Sequence, residues 1–191
     1  EHTGYIVIDI DFHYRPPENV PVETQKDISK LKNIYPVEIF EDIAKVYKDK
    51  IDKIFVSSQI EDDKKGIWFF EKRHPTVSKK GDVHDGFHAM IEVACTQETQ
   101  HYIRHLVIPD IEKLLIKHGV LSKVKDTVDK IVDDKIIKNA WMMYGCAKSS
   151  SIPYLLTRGF HFTSDGVEKI PKKKIQDLSL IHISEPTRQE A

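Results

Sequence analysis

Apolar and polar positions along the chain divide it into strands, helices and loops before any chemistry is considered. The run Tyr5-Ile-Val-Ile-Asp-Ile-Asp11 is rich in β-branched residues and reads as a buried strand. Pro16, Pro17 and Pro21 forbid regular structure after it, so residues 14–22 form a loop. Pro36 suits the first turn of a helix, and Ile39, Phe40, Ile43, Val46, Tyr47 and Ile51 then recur at helical spacing. Ile67-Trp-Phe-Phe70 predicts a short buried strand, and the polar residues 72–85 an exposed loop. Gly86 to Val93 predicts another strand, with Phe87, Ala89, Ile91 and Val93 turned to the core and His88 turned away. Gln97 to His118 is a long amphipathic helix, expected to be interrupted near Pro109 and ended by Gly119. Lys123 to Ile137 is a charged helical stretch, Trp141 to Tyr144 is apolar, and Pro153 to Phe162 holds a last strand. Strands and helices mix without the alternation of a doubly wound sheet. The expected class is therefore α+β, with a mostly antiparallel sheet backed by helices.

Composition narrows the possible functions. The 191 residues are 40% apolar and 31% charged with net charge −1, which describes a soluble globular protein. No run approaches the roughly 20 apolar residues of a membrane span. Two cysteines, Cys95 and Cys146, cannot make a Cys-rich zinc site. The chain opens on Glu1, and residues 1–20 lack a signal-peptide pattern, so a fragment of a longer protein is expected. The segment 178–191 resembles the "LIHISEPTR" tails that translated sequencing adapters leave on assembled transcripts. It is set apart as a non-native tail, which leaves residues 1–177 as one domain.

The candidate chemistry centres on acids and histidines. Asp9 and Asp11 project from one face of their strand, where two carboxylates repel each other unless a cation or donors lie between them. Mg²⁺ or Mn²⁺ with substrate phosphates would meet that need, and so would simple solvation at a strand end. His88, beside Gly86, fits either a phosphate donor or a structurally bonded histidine. Ile131-Val-Asp133-Asp134 could supply a third carboxylate, and Lys148 a point charge for a triphosphate. A charged helix face followed by a core aromatic cluster explains the same residues. His101 and His105 stand four apart on the long helix, but they lack the glutamate of the H-E-x-x-H pattern and fit a solvated face. Lys64, Lys65, Lys72, Arg73, Lys79 and Lys80 bracket Trp68-Phe-Phe70 and could track a nucleic-acid backbone. A second basic run, Lys169 and Lys172 to Lys174, reads as surface.

The order of these features carries a resemblance. Ile8-Asp-Ile-Asp-Phe-His-Tyr14 is like "hDhDFRY", Phe70-Glu-Lys72 like "EK", and Asp85-Gly-Phe-His88 like "KDGhH". Ile131-Val-Asp133 with Trp141-Met-Met-Tyr-Gly-Cys-Ala-Lys148 and Pro153-Tyr154 is like "hhD…WhhYGSxKxxxxPY". Over residues 5–162 the chain resembles the primase domain of the pox-type primase–helicases of nucleocytoplasmic large DNA viruses, in the archaeo-eukaryotic primase superfamily. The resemblance implies a palm-like, RRM-related core and a DNA primase, a template-directed nucleotidyltransferase that makes primers for viral DNA replication. It implies Asp9, Asp11 and Asp133 (with Asp134 as neighbour in a loose register) as ligands of two divalent ions, Mg²⁺ or Mn²⁺. It implies His88 as a catalytic residue on the incoming nucleotide and Lys148 on its phosphates. The implied partners are a single-stranded DNA template, along Lys72, Arg73, Lys79 and Lys80, nucleoside triphosphates, and a helicase domain of the same full-length chain. No membrane partner is implied, and the expected location is a cytoplasmic viral replication site in the host cell. His13, His84 and Cys146 depart from the family's Arg, Lys and Ser.

Without a G-x-x-x-x-G-K-[ST] motif, no ATPase activity is expected of these residues. The near-zero charge is an average: residues 1–62 carry 13 acids and 8 bases, or −5, and residues 63–177 carry 15 acids and 20 bases, or +5. That polarity suits a polymerase cleft. Two other classes fit parts of the pattern. One is another D-x-D metal enzyme, a nuclease or glycosyltransferase. The other is a non-catalytic RRM-like nucleic-acid-binding module, which needs exposed aromatics on the sheet.

Overall fold

A computed structural model describes residues 3–15, 31–55, 65–78, 80–138 and 152–177. The long first strand, β1 (Thr3–Tyr14), alternates strictly. Ile6, Ile8, Ile10, Phe12 and Tyr14 are buried, while the intervening Val7, Asp9, Asp11 and His13 are only partly covered. It pairs with β4 (Val83–Thr96), and β4 pairs with β2 (Gly66–Glu71). Beyond β2 lie β5 (Leu155–Thr163) and β6 (Gly166–Lys169). The two-residue β3 (Thr76–Val77) pairs with the start of β4. All pairings are antiparallel, in the order β1-β4-β2-β5-β6. The expected α+β class with an antiparallel sheet is thus the observed one.

One face of the sheet is covered by α1 (Ile39–Ile54) and α2 (Gln97–Lys117). Ile39, Phe40, Ile43, Tyr47 and Ile51 of α1 pack with Ile103, Val107, Ile111 and Leu115 of α2. Together they cover Ile8, Ile10, Phe69, Phe87, Ala89 and Ile91 of the sheet. Each large side chain so buried gains about 1.5–3 kcal/mol of transfer free energy. Ion pairs Lys50–Asp110 at 2.6 Å and Lys117–Asp42 at 2.7 Å tie the helices at their rims.

The structure corrects the sequence reading at several points. The α2 helix runs through Pro109 without the expected interruption. Proline removes one intrahelical hydrogen bond at a cost of about 3 kcal/mol, and the buried stripe on either side of it outweighs that. Thr96 caps the start of α2, its hydroxyl accepting from Thr99 N at 3.3 Å, and Gly119 ends it at φ +64°. The charged stretch 123–137 is not one helix. It breaks into a 3-10 turn at Leu121–Lys123, α3 (Val128–Ile131) and α4 (Lys135–Lys138), with Val132 in an isolated bridge and Asp134 in a bend between the last two. The sequence reading did not contain β6. Lys79, Lys148, Cys146 and the tail 178–191 lie outside the described residues. No helix among the described residues is long and apolar enough to cross a membrane.

The opposite sheet face is only partly covered. A second apolar cluster of Trp68, Phe70, Tyr154, Ile170 and Ile175 lies on it, over the β2–β5 side. The β1–β4 side is left to polar groups, and it depends on one glycine. Gly86 has φ +145°, and a Cβ there would lie 2.0 Å from Ile10 O. Gly86→Ala is expected to destabilise the fold by at least about 2 kcal/mol, read as a lower urea midpoint, because β1 would have to move away from β4. An unchanged midpoint would show that the close approach is not needed.

Candidate active site

On β1 the register sets Asp9 opposite His88 and Asp11 opposite Gly86. The absence of a side chain at Gly86 lets its backbone approach Ile10 and Asp11 closely. The third acid arrives from the break after α3. Val132 bridges Ile10, and Asp133 N donates to Asp9 O at 3.0 Å, which lays Asp133 alongside β1. The Asp133 carboxylate also accepts from Lys135 N at 3.0 Å, which turns the chain into α4. The outcome is a triad in which one carboxylate oxygen each from Asp9, Asp11 and Asp133 lies within 4.8 Å of the others. Asp134 is exposed and stands outside this group, so the acid of the pair that joins Asp9 and Asp11 is Asp133.

Arg104 on α2 holds the break in place. Its Nε donates to Val132 O at 2.8 Å, and its Nη2 donates to the backbone and carboxylate of Asp129. Sequence reading missed this residue. A lone arginine on a helical face carries no sign that it reaches another segment's carbonyls.

Burial pushes the Asp11 carboxyl above the usual range, and Asp133 adds to this, while His13, Lys72 and His84 pull the other way. A partly buried acid that resists ionisation beside two more acids is a site that gains from a hard cation. Oxygen ligands from several carboxylates suit Mg²⁺ or Mn²⁺. The residues therefore fit the divalent ions expected.

His88 is 8% exposed and sits over the triad, with Nε2 3.4 Å from Asp9 Oδ1. Its ring stacks on Tyr154 with centroids 3.8 Å apart and an interplanar angle of 19°. The ammonium of Lys72 lies over the same Tyr154 ring, 4.8 Å from its centroid. Burial first, and then the charges of Asp9, Asp11 and Asp85, raise the Tyr154 hydroxyl, so it stays neutral beside the carboxylates. The Pro153-Tyr154 motif marked Tyr154 without assigning it a role, and the stack supplies one: it fixes the plane of the imidazole.

The basic and aromatic stretch 64–80 reads differently in three dimensions. Phe69 lies in the main core, and Trp68 and Phe70 lie buried in the second cluster, so none of the three offers a free face to a base. Lys72 belongs to the triad's surroundings, whereas Arg73 and Lys80 are exposed. A sheet face that carries carboxylates and covered aromatics lacks what a simple RRM-like binding module needs. Near the rim, His13 and His84 meet edge to face at 4.4 Å, and His13 Nδ1 lies 2.6 Å from Asp126 Oδ2. His101 and His105 stand on α2, outside the one group with metal-holding geometry among the described residues. Burial pushes the Cys95 thiol up to about 11, an inert core residue.

A buried polar network lies on the core face behind the triad. Glu71 accepts from Arg158 Nε at 3.1 Å and Nη2 at 2.8 Å, from Tyr35 Oη at 3.3 Å, and from Thr157 Oγ1. Asp85 accepts from Ile34 N at 2.7 Å and Gly86 N at 2.8 Å, which ties residues 31–35 to β4.

An antiparallel sheet thus gathers three carboxylates that could hold a metal ion beside a buried, stacked histidine. Residues 1–160 match the family model of the C962R protein N-terminal AEP domain, and the chain belongs to this family of archaeo-eukaryotic primase domains. Its kind of function is that of a primase or nucleotidyltransferase domain. The chain is also 27% identical over 161 residues to a protein of Acanthamoeba polyphaga mimivirus named "Putative helicase L207/L206". The aligned part covers 82% of this chain and 15% of that relative.

Two outcomes follow from this geometry. Arg104→Met is expected to weaken Mn²⁺ binding about tenfold by calorimetric titration, because it frees the segment that carries Asp133. Affinity equal to wild type would detach Asp133 from Arg104. Burial, opposed by the hydrogen bonds from Ile34 and Gly86, pushes the Asp85 carboxyl up to about 6 from 3.8. Asp85 takes up its proton more readily folded than unfolded. Its stabilising contribution is therefore present below about 3.8 and lost as pH rises through about 6. Asp85→Asn should flatten the pH dependence of unfolding free energy between these values by up to about 3 kcal/mol in urea titrations.

Proposed function

We propose that this chain is the catalytic primase domain of a primase–helicase of the pox type, which synthesises primers on a single-stranded DNA template for viral DNA replication. The observation that carries the reading is the convergence of Asp9, Asp11 and Asp133 beneath His88, in a chain of the archaeo-eukaryotic primase family. The name of the mimivirus relative supports a helicase fused to the same full-length chain; a cytoplasmic replication site in an infected host cell belongs to the same proposal.

In the proposed reaction the 3′-hydroxyl oxygen of one nucleotide bonds to the α-phosphorus of the next triphosphate. The bond to the β-phosphate bridging oxygen breaks, pyrophosphate leaves, and the hydroxyl proton passes to solvent. Asp9, Asp11 and Asp133 would hold two divalent ions, which lower the pKa of the attacking hydroxyl and neutralise the triphosphate charge. The chain's own groups supply position. Tyr154 fixes the His88 ring, and His88 presents a nitrogen at the edge of the triad, where it donates to a phosphate oxygen. Lys72, over the same ring, adds a positive charge at that side of the site. Lys148 is assigned to the triphosphate by resemblance to the family motif.

The test is primer synthesis on a single-stranded template with Mn²⁺ and nucleoside triphosphates. The double variant Asp9→Ala/Asp11→Ala is expected to lose at least about 10³-fold of the product, and EDTA to abolish synthesis by wild type. Equal product from variant and wild type would sink the mechanism. Template degradation in place of primer synthesis would turn the reading to a nuclease.

A further inference from the structure

The second basic run was set aside as surface in the sequence, yet it lines a cavity. The chain after β6 turns into a helical segment at 172–177, which lies against β5. Between them is a cavity of about 1000 Å³. Its apolar surface is offered by the half-buried Leu155 and Leu156, with the buried Ile170 and Ile175 behind, and its cationic wall is formed by Lys169, Lys172 and Lys173. Among the described residues none of these three lysines has an ion-pair partner. Arg158 also lines the cavity, but its guanidinium is already committed to Glu71. Asp177 is the opposing acid in the lining, so the wall keeps a surplus of positive charge.

Ile170, Ile175 and Leu156 pack in the same cluster as Tyr154, and Tyr154 stacks on His88. Leu155, next in the chain after Tyr154, is itself part of the lining. A lining side chain and Tyr154 therefore stand between a ligand in the cavity and His88.

We propose that this cavity receives the phosphodiester backbone and unpaired bases of a single-stranded nucleic acid, the template strand, on its way into the site; this rests on the primase reading. Three features select that ligand. The volume stands at the top of the range for a small-molecule site and exceeds what one phosphate fills. Repeated cations along one wall match a repeating anion better than a single charge. The apolar surface of Leu155 and Leu156 takes base faces, which only an unpaired strand exposes. The stretch 64–80, the earlier candidate for this role, has its aromatic residues buried and Lys72 held over Tyr154.

The test is fluorescence anisotropy of a labelled oligothymidylate over a series of salt concentrations, using the full chain. The triple variant Lys169→Gln/Lys172→Gln/Lys173→Gln should bind at least about tenfold more weakly near 0.1 M salt. Its slope of log K against log salt should be shallower by about 2, from roughly 0.7 per phosphate contact. A matched triple on the helical side, Lys45→Gln/Lys53→Gln/Lys113→Gln, removes the same charge from exposed positions and should keep the wild-type slope. All six side chains are at the surface, and thermal melts of both variants report that the fold is kept. Wild-type binding with equal slopes in the two triples overturns the cavity proposal alone. No oligothymidylate binding by wild type overturns the primase reading with it.

Discussion

The register between β1 and β4 is the constraint on which the rest of this molecule depends. It sets Asp9 against His88 and Asp11 against Gly86, and a shift of one residue would carry both carboxylates into the apolar core. The register is held from both faces. On the core side Ile8, Ile10 and Phe12 interleave with Phe87 and Ala89 under α1 and α2. On the site side the backbone of Gly86 fits against Ile10 O where no side chain could. Every acid of the triad is then placed by main chain. Two sit on adjacent same-face positions of β1, and the third is brought alongside by the bridge between Ile10 and Val132.

The sheet separates two kinds of polar chemistry. On the core face Glu71, Arg158, Tyr35 and Thr157 satisfy one another, and Asp85 is held by two backbone amides. Such a network stabilises only while every member keeps its partners, because an orphaned charge at that depth costs several kcal/mol. On the site face the acids are instead left close to one another. Asp11 is raised by burial with Asp133 contributing, a tension that a divalent ion would relieve. Neighbouring residues divide between these faces: Glu71 belongs to the inner network, and Lys72 stands over Tyr154 in the site.

Much of the site could be read from the chain because the relevant residues lie close together on strands. Asp9 and Asp11 share a face by the two-residue period, and the alternation of Phe87 and Ala89 around His88 turns the histidine outward. Helical periodicity likewise located α1 and its buried stripe. What escaped were effects of packing on local preference. Pro109 should interrupt α2, but Ile103, Val107, Ile111 and Leu115 bury one continuous stripe across it. The segment 123–137 looks helical throughout, but the pairing of Val132 with β1 and the clasp of Arg104 pull residues 132–134 out of the helix. Nothing local in Val132-Asp133-Asp134 signals that break.

By itself the sequence determined the class of the fold, the strand that carries two acids, the outward turn of His88 and, through ordered motifs, membership of the archaeo-eukaryotic primase superfamily. Periodicity and side-chain chemistry are local, and they survive without knowledge of what packs against what. Only the tertiary structure decided that Asp133 rather than Asp134 completes the triad. It also decided that Tyr154 stacks on the histidine with Lys72 over the same tyrosine ring, that Trp68 and Phe70 are covered, and that Lys169, Lys172 and Lys173 line a cavity. Each of these depends on contacts between segments far apart in the chain, whose geometry is set by the close packing of the whole sheet.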